Sequence, residues 1–469
     1  MDSTLKERIA GTLAPTLRGP VVLPPDPDFD DARRVYNGMI DRRPAAIVRC
    51  ADVTDVMATV NFARENSERL AVRGGGHNAA GLGVADDAIV ADLGRLRGVH
   101  VNPDAATARV SGGCTLGDLD HATHAFGLAV TGGIVSTTGV GGLTLGGGLG
   151  YLARKCGLTI DNLLEVDMVL ADGRFVTANE KENADLFWAV RGGGGNFGVA
   201  TSFVFRLHPV STVYAGPTLW RVEDTVEMLA AYRGWMEEHD ADTDFYGFFL
   251  VQRLPAAEPF PPELRGKTVC GVMWCMTGTI EQAENALKPV RAARKPILDW
   301  AGPMPYPALQ SMFDPFYPAG MQWYWKADFV GELSDKAIEI NAEYGKDSPG
   351  TLSSTHLYPV DGVASRVGPT ETAWGYRDAK WAQVIVGVDP HPKNRDAITR
   401  WSKSYWEALH PHSLGGAYIN FMMEEGQERI QATYRGNYDR LAAVKRKYDP
   451  RNFFNANQNV KPAGDRQTA

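Results

Sequence analysis

The chain has 469 residues, enough for two or three domains that each bury a hydrophobic core. Its formal net charge is -8 and it has no basic block, which excludes nucleic acid and an anionic membrane as expected partners. The chain has only five cysteines and a polar start, so we expect a cytoplasmic protein without disulfides. No apolar run approaches the roughly 20 residues that cross a bilayer, so no membrane span is expected.

The first 208 residues predict short strands that alternate with helices. Apolar positions recur at helical spacing over 52–63, and 118–127 reads as a short helix that ends in a glycine. The pair Asp172-Gly173 is a hairpin turn signal between two alternating segments. Strands are predicted at 45–50, 69–72, 88–93, 99–110, 162–178 and 200–210.

The composition changes after His208-Pro209, where glycine clusters disappear and aromatic residues become frequent. This change predicts a second domain over about 209–415, in which helices and strands again alternate. The tail contains one clear helix, which Asp449-Pro450 ends. Helices are predicted at 224–238, 279–290, 334–345 and 438–448, and strands at 247–254, 268–278 and 381–389.

Three glycine clusters lie at 73–78, 137–151 and 191–200. Glycine inside a regular element costs roughly 0.5–1 kcal/mol, so three such runs need a compensating role. Bare backbone can approach a ligand closely, and successive N–H groups form a concavity that binds an anion such as phosphate. The alternative is that these glycines serve turns and close packing only.

The third cluster formally contains G-x-G-x-x-G at Gly193, Gly195 and Gly198. A dinucleotide-binding turn requires a strand before this motif and a helix after it. Here a helical segment comes before the motif and a strand comes after it, so we discount a Rossmann site. The chain also has no P-loop motif and no G-x-S-x-G hydrolase motif.

Five motifs follow in order along the chain: "RGGGHN", "GVGGLTLGGGLGY…KCGLTIDNLLEVDMVLADG", "LFWAVRGGGGNFGV", "AYINF" and "YDPRNFFNANQNVKP". The ordered set resembles the berberine-bridge-enzyme-like flavoprotein oxidases, in the superfamily of vanillyl-alcohol-oxidase and PCMH-type FAD domains. The resemblance implies an α+β fold with a two-part PCMH-type FAD-binding domain, residues 1–208 and 416–469. Residues 209–415 would be an inserted substrate-binding domain, an antiparallel sheet covered by helices.

The resemblance also implies that FAD is held through a single covalent link to His77. A neutral imidazole is a competent nucleophile near neutral pH, because its free pKa is close to 6.5. Many relatives form a second bond through a cysteine, but Val135 stands at that position here, and we interpret Cys156 and Cys114 as buried residues. The implied cofactor-binding residues are Arg73, Gly74, Gly75, Gly76, His77, Asn78, Thr137, Thr138, Gly139, Gly142, Gly147, Val199 and Asn457.

In this family a tyrosine of a Y-x-N motif often takes the substrate proton, and here that residue is Tyr418. Its free pKa is near 10, so we expect help from a neighbouring cation or donor, with Arg377 and Lys326 as candidates. Tyr376 is a second catalytic candidate, because relatives often have histidine there. A tyrosine packed in a sheet is the alternative for both.

The predicted function is oxidation of an alcohol, sugar or secondary-metabolite carbon by hydride transfer to flavin N5, with a small-molecule substrate and O2 as acceptor. A dehydrogenase of the same fold and a non-catalytic flavin-binding protein are the alternatives. Thr138 occupies the position that controls oxygen access in relatives, so oxidase and dehydrogenase both stay open, as does the oligomeric state.

Three further groups of side chains are candidates for a functional role. The rings of 314–329 could form a platform facing the flavin, although alternate residues of a strand point the opposite way. His121 and His124 lack the third ligand that a metal site needs, so no metal is predicted. Glu424, Glu425 and Glu428 are expected to form a solvated helical face.

Overall fold

The computed structural model describes residues 3–239 and 244–464. Its described strands form three larger sheets and one two-stranded pair, accompanied by helices, which is the mixed α+β architecture predicted from the sequence. No helix within these described residues is long and apolar enough to cross a membrane.

The first sheet is built from the first strands of the chain, in the order β1-β2-β4-β3. Strand β4 pairs in parallel with both β2 and β3, and β1 closes the edge antiparallel to β2. The helix between β2 and β3 starts at Asp52, whose side chain accepts a hydrogen bond from the amide of Asp55. The strands are β1 (Val21–Val22), β2 (Ala46–Arg49), β3 (Leu70–Arg73) and β4 (Ile89–Asp92).

The second sheet is antiparallel, in the order β5-β6-β10-β8-β9. Two of its neighbouring pairs are the hairpins predicted from the sequence, one of them turning at Gly173, whose φ of 83° suits a glycine. The strands of this part are β5 (Val99–Asn102), β6 (Thr107–Ser111), β7 (Leu128–Ala129), β8 (Leu163–Val169), β9 (Phe175–Asn179), β10 (Val199–Arg206) and β11 (His208–Pro209), where β7 and β11 form the two-stranded pair.

The third sheet has eight antiparallel strands in the order β15-β12-β14-β13-β18-β19-β17, with β16 also paired to β12. Its strands are almost wholly buried, because helices cover one face and the rest of the chain covers the other. The strands are β12 (Thr212–Arg221), β13 (Gly247–Arg253), β14 (Thr268–Met276), β15 (Leu298–Asp299), β16 (Gly302–Pro305), β17 (Gln322–Val330), β18 (Ser354–Pro359) and β19 (Trp381–Asp389).

Long helices lie at the predicted positions 52–63, 224–238, 279–290, 334–345 and 438–448, whereas the longest helix, Arg395–Leu409, was not predicted. The described α-helices are α1 (Ser3–Arg8), α2 (Phe29–Ala32), α3 (Val53–Glu65), α4 (Leu116–His124), α5 (Val140–Leu145), α6 (Ala153–Cys156), α7 (Ala184–Val190), α8 (Thr225–Glu238), α9 (Ile280–Ala293), α10 (Tyr306–Gln310), α11 (Asp335–Lys346), α12 (Val363–Arg366), α13 (Arg395–Leu409), α14 (Gln427–Tyr434) and α15 (Tyr438–Tyr448). Helices α8, α11 and α13 pack on the covered face of the third sheet. Helix α7 comes before the third glycine cluster and β10 after it, the reverse of a Rossmann turn.

Two buried ion pairs join the first part of the chain to the segment around the third sheet. The guanidinium of Arg154 donates to both carboxylate oxygens of Asp361, at 2.7 and 2.9 Å. Arg377 makes the matching bidentate contact to Asp161, at 2.8 and 2.7 Å. Both arginines are buried, and Arg154 also donates to the carbonyls of Phe245 and Met236. Bidentate pairs fix orientation as well as distance, so they hold the two parts in one geometry.

Candidate active site

A cavity of about 340 Å³ is lined by residues from all three sheets and by parts of all three glycine clusters. It lies against the face of the third sheet that the helices do not cover. The structure brings most of the predicted site residues to its wall. They are Arg73, Gly74, Gly75, Gly76, His77, Asn78, Thr138, Gly139, Gly142, Asn457 and Tyr418.

The first two glycine clusters touch backbone to backbone. A Cβ atom on Gly75 would lie 2.4 Å from the amide nitrogen of Gly139, and a Cβ on Gly139 would lie equally close to the nitrogen of Gly75. Only glycine permits this approach at either position. Within the described part of the chain, the amides of Gly74, Gly75, Gly76 and His77 donate to no backbone acceptor. These N–H groups are therefore available to an anionic ligand.

Side chains from several elements hold the loops at the cavity. Arg73 donates to the carboxylate of Asp92 at 2.7 Å, so its charge is already paired. The side chain of Asn457 donates to the carbonyl of Gly195 at 3.1 Å and ties the C-terminal segment to the third cluster. Below it, the buried ammonium of Lys445 donates to the carbonyl of Asn196 at 2.6 Å.

The His77 side chain is held on three sides. Its ring stacks on Tyr36, with 4.0 Å between the ring centroids and 20° between the planes. Its Nε2 lies 2.9 Å from Oγ1 of Thr137, and its Nδ1 lies 3.4 Å from Oγ1 of Thr138. Burial lowers the pKa of His77 to about 4, because the imidazolium would lose its hydration. The ring is therefore neutral near pH 7, which is the nucleophilic form.

The Tyr418 hydroxyl oxygen accepts hydrogen bonds from three N–H groups. The amide of Gly148 donates at 2.9 Å, the amide of Leu149 at 3.3 Å, and Nδ2 of Asn420 at 2.8 Å. Burial raises the pKa of Tyr418 above its ordinary value, and the three donors act in the opposite direction. The glycine at position 146 leaves room for the Asn420 side chain, because a Cβ on Gly146 would lie 2.2 Å from Oδ1 of Asn420.

The third sheet supplies the opposite wall of the cavity from three neighbouring strands. Alternate residues of β17, β18 and β19 point to this face, and the residues between them point to the helices. Trp323 and Trp325 thus face the cavity, while the ammonium of Lys403 on α13 lies over the ring of Tyr324. The sheet residues on the cavity wall are Trp323, Trp325, Ser354, His356, Tyr358, Val384 and Val386.

Four predicted site residues do not line the cavity. Tyr376 is directed elsewhere: its hydroxyl donates to the carbonyls of Ala432 and Leu414, at 2.9 and 3.3 Å, and its ring stacks on Phe329. It therefore does not take the place over the substrate that its sequence position suggested. The other three residues are Thr137, Gly147 and Val199.

Each of these three has a local explanation. Val199 lies on β10 between Gly198 and Ala200, which do line the cavity, and the two-residue period turns its side chain into the core behind the sheet. Gly147 packs behind Tyr418, where an added Cβ would lie 3.2 Å from the phenol ring. Thr137 stays close to the site through its contact with His77.

The cations proposed as partners of Tyr418 are occupied by carboxylates. Arg377 is paired with Asp161, and Lys326 donates to Glu425 at 2.6 Å on the helix-covered side of the third sheet. The prediction that Glu425 belongs to a solvated helical face was wrong. Its carboxylate is buried between Lys326 and Arg429, because the segment after Tyr418 folds back onto the sheet.

Two family models match the chain. The model described as "FAD binding domain" matches residues 44–179, and the model described as "Berberine and berberine like" matches residues 417–461. An FAD-linked oxidoreductase of Dictyostelium discoideum is 31% identical over 91% of each chain, and the FAD-linked oxidoreductase pgmH of Aspergillus terreus is 38% identical over 97% of this chain and 96% of its own. The chain belongs to the berberine-like FAD-linked oxidoreductases.

A solved relative has the same fold. The crystal structure of 6-hydroxy-D-nicotine oxidase from Arthrobacter nicotinovorans superposes with a TM-score of 0.84, at 26% identity, and the match covers 95% of this chain and 98% of that one. Relatives of this kind are enzymes, so the oxidoreductase is an enzyme with FAD as its cofactor and a small molecule as its substrate. The predicted family, fold class and cofactor are confirmed.

The residues of this oxidoreductase fit FAD. The free amides of 74–77 suit a pyrophosphate, since successive N–H groups concentrate positive potential on an anion. Gly142 and Gly195 have open space where a Cβ would stand, so a flat ring system could lie directly on their backbone. The neutral ring of His77 is fixed beside these loops by Tyr36 and the two threonines.

The cysteines of the oxidoreductase lie away from this arrangement. Val135 lines the cavity where many relatives have a cysteine, whereas Cys114 and Cys156 are buried and are not among the lining residues. The thiol of Cys114 is engaged with the backbone of Gly98. A single covalent link through His77 therefore stays the prediction for this chain.

Sequence reasoning missed two residues of the oxidoreductase site. Tyr36 precedes the first predicted strand and lies in no motif, yet its ring supports His77 and its hydroxyl donates to the carbonyl of Tyr317 at 2.6 Å. His356 lies in the middle of β18, in a segment with no functional pattern. Only the pairing of β18 with β13 and β19 shows that its side chain reaches the cavity wall.

Proposed function

We propose that this oxidoreductase oxidises a hydroxyl-bearing carbon of a small molecule to a carbonyl, with O2 as the electron acceptor. The observation that carries the proposal is the hydroxyl of Tyr418, on which three N–H donors converge at the cavity. Bound FAD would supply the redox chemistry by accepting a hydride at N5 and passing two electrons to O2, with hydrogen peroxide as the product.

Tyr418 takes the proton of the substrate hydroxyl in this proposal. A phenolate on Tyr418 would keep all three donors, and a hydrogen bond to a charged oxygen is worth roughly 1.5–3 kcal/mol, against about 1 kcal/mol for a neutral one. The three donors thus offset part of the cost of burying the anion. No cation among the described residues donates to this oxygen, so the donors replace the charged partner expected from the sequence.

His77 anchors the cofactor in this proposal through one covalent bond to the flavin. Its neutral ring would supply the lone pair, because burial suppresses protonation, and Thr137 and Thr138 orient the two ring nitrogens. The new C–N bond would replace a C–H bond of the flavin 8α-methyl group and the N–H bond of the ring, and the two electrons released would pass through the flavin to O2. We assign residues 1–208 and 416–469 to the FAD-binding domain and residues 209–415 to the substrate-binding domain. The glycine loops and the uncovered face of the third sheet, which come from these two parts, form the two walls of the cavity.

The test is anaerobic mixing of the purified holoenzyme with a panel of alcohols, aldoses and phenolics, followed by the visible absorption of the flavin. Loss of the oxidised flavin spectrum identifies a substrate. Admission of air should then restore the spectrum and release hydrogen peroxide in an equal amount. Reduction by substrate without peroxide in air would contradict O2 as the acceptor and favour the dehydrogenase.

A further inference from the structure

The cavity has almost no charge. Of the described residues that line it, only Arg73 carries a permanent charge, and Asp92 neutralises it. Burial lowers the pKa of His77 to about 4 and the pKa of His356 to about 3, so both rings are neutral near pH 7. The wall formed by the third sheet offers no charged partner to an ionised group of a substrate, and burying an unpaired charge is costly.

The wall formed by the third sheet is aromatic and presents unpartnered donors. Within the described chain, no hydrogen-bond partner meets Nε1 of Trp323, Nε1 of Trp325 or Nε2 of His356, and all three atoms are buried. The two indole nitrogens can only donate. The residues of this wall include no carboxylate and no side-chain amide. A carbohydrate, whose many hydroxyl protons need acceptors, is poorly matched to such a surface.

The contact between His356 and Tyr358 fixes which imidazole nitrogen carries the proton. The hydroxyl of Tyr358 lies 2.7 Å from Nδ1 of His356, and burial raises its pKa well above the ordinary value, so Tyr358 keeps its proton. Nδ1 is the one partner of that hydroxyl in the described structure, so Tyr358 donates to it. A neutral imidazole that accepts at Nδ1 carries its own proton at Nε2.

His356 Nε2–H is therefore a buried donor that no group of the described residues accepts. A ligand oxygen that accepts from it would supply the missing acceptor. Rings surround the imidazole: the centroid of Phe248 lies at 5.0 Å and that of Phe313 at 6.4 Å. A flat aromatic ligand would extend this packing.

We propose that the substrate is an uncharged aromatic molecule, and that His356 binds a carbonyl or ether oxygen on it through Nε2–H. The inference rests on the proposed function, since the same molecule must bring its hydroxyl-bearing carbon to Tyr418. His356 is a substrate-binding residue in this scheme. It holds the end of the molecule that is not oxidised, so its loss should weaken binding more than it slows the chemical step.

The experiment measures binding of five probes to the holoenzyme by calorimetry. Acetophenone is the neutral aryl ketone, ethylbenzene is the same ring without oxygen, benzoate and benzylammonium are the charged counterparts, and glucono-1,5-lactone represents sugars. Acetophenone should bind at least about tenfold more tightly than either charged probe or the lactone.

Two variants isolate the contribution of His356. H356F should weaken acetophenone binding at least about tenfold and change ethylbenzene binding less than about threefold. H356Q should recover most of the loss, because a glutamine amide can place an N–H close to the Nε2 position. An unchanged flavin spectrum in both variants shows that the fold and the cofactor site are intact.

The outcomes separate the inference from the proposed function. Preferred binding of benzoate, benzylammonium or the lactone overturns the inference, and so does an acetophenone affinity that H356F leaves unchanged. Anaerobic flavin reduction is measured separately, with 1-(4-methoxyphenyl)ethanol, whose ether oxygen can accept from His356, and with the alcohol panel. Selective acetophenone binding through His356 supports the inference whether or not the flavin is reduced, whereas failure of every alcohol to reduce it contradicts the proposed function.

Discussion

Replacing Asn420 by alanine tests whether Tyr418 works as a base. In the wild type, burial holds the pKa of Tyr418 above its ordinary value, so the phenolate is a minor species near neutral pH. If the phenolate reacts, the logarithm of the flavin reduction rate should rise with a slope near one from about pH 6 to about pH 9. Proton transfer in the opposite sense, from Tyr418 to the substrate, would give no such rise.

The size of the shift follows from the hydrogen bonds of Asn420. Its Nδ2 donates to the Tyr418 oxygen at 2.8 Å and to the carbonyl of Leu143 at 3.0 Å. The bond to Tyr418 favours the phenolate over the phenol by about 1.4 kcal/mol, the excess of a charged over a neutral hydrogen bond. Its removal should raise the pKa by about one unit and leave about tenfold less phenolate at any pH below it.

Stopped-flow reduction under anaerobic conditions, repeated across the pH range, is the assay. For N420A, the plot of the logarithm of the reduction rate against pH should move by about one unit to higher pH without a change of slope. Asn285→Ala is the matched control, because that asparagine lies on the exposed side of α9, where its side chain accepts a hydrogen bond from Lys288. A wild-type rate that is flat with pH, or an N420A rate that equals the wild-type rate across the pH range, would refute the base role of Tyr418.

Four further variants have distinct expected results. Tyr418→Phe should slow flavin reduction at least tenfold, about 1.4 kcal/mol, and abolish its pH dependence while flavin stays bound, as stopped flow can show. His77→Ala should release flavin on acid precipitation, whereas the wild type should keep it in the pellet. Cys156→Ser should leave the attached fraction unchanged, because the thiol is buried away from the cavity. Burial lowers the pKa of His356 from 6.5 in the unfolded chain to about 3 in the folded protein. As the pH falls, the unfolded chain therefore takes up a proton on this imidazole before the folded protein does. Stability is therefore lost as pH falls below 6.5, and the wild type should lose about 3 kcal/mol more than H356F between pH 7.5 and pH 4.5 in denaturant titrations.

Local sequence signals predicted the features that depend on local physics. The helix at Val53–Glu65 has its apolar spacing and its Asp52 cap written in adjacent residues, and the hairpin around Gly173 has its turn pair. The glycine clusters predicted close backbone approach, which the contact of Gly75 with Gly139 shows directly. In each case the residues that decide the structure are neighbours in sequence or belong to one strong motif.

Features that depend on strand register were beyond the sequence. Val199 was placed at the cofactor, but only the pairing of β10 shows that Gly198 and Ala200 take that face. His356 reaches the cavity because β18 lies between β13 and β19. Strand β13 is far from β18 in sequence, so no local pattern shows that the two strands pair. Tyr376 and Glu425 lie outside the strands and were misjudged because their partners, Ala432 and Lys326, come from segments that no local pattern connects to them.

The segment Tyr36–Gly38 couples the two walls of the cavity, although it belongs to no motif. The amide of Tyr36 donates to the carbonyl of Gly76 while its ring supports His77. Asn37 accepts from the amide of Trp323 and donates to the carbonyl of the same residue, at 3.2 and 3.1 Å. Any displacement of Trp323 is therefore transmitted through buried hydrogen bonds to the support of the imidazole. Because the sheet wall and the glycine loops share this segment, the position of the cofactor anchor and the shape of the substrate wall are set together.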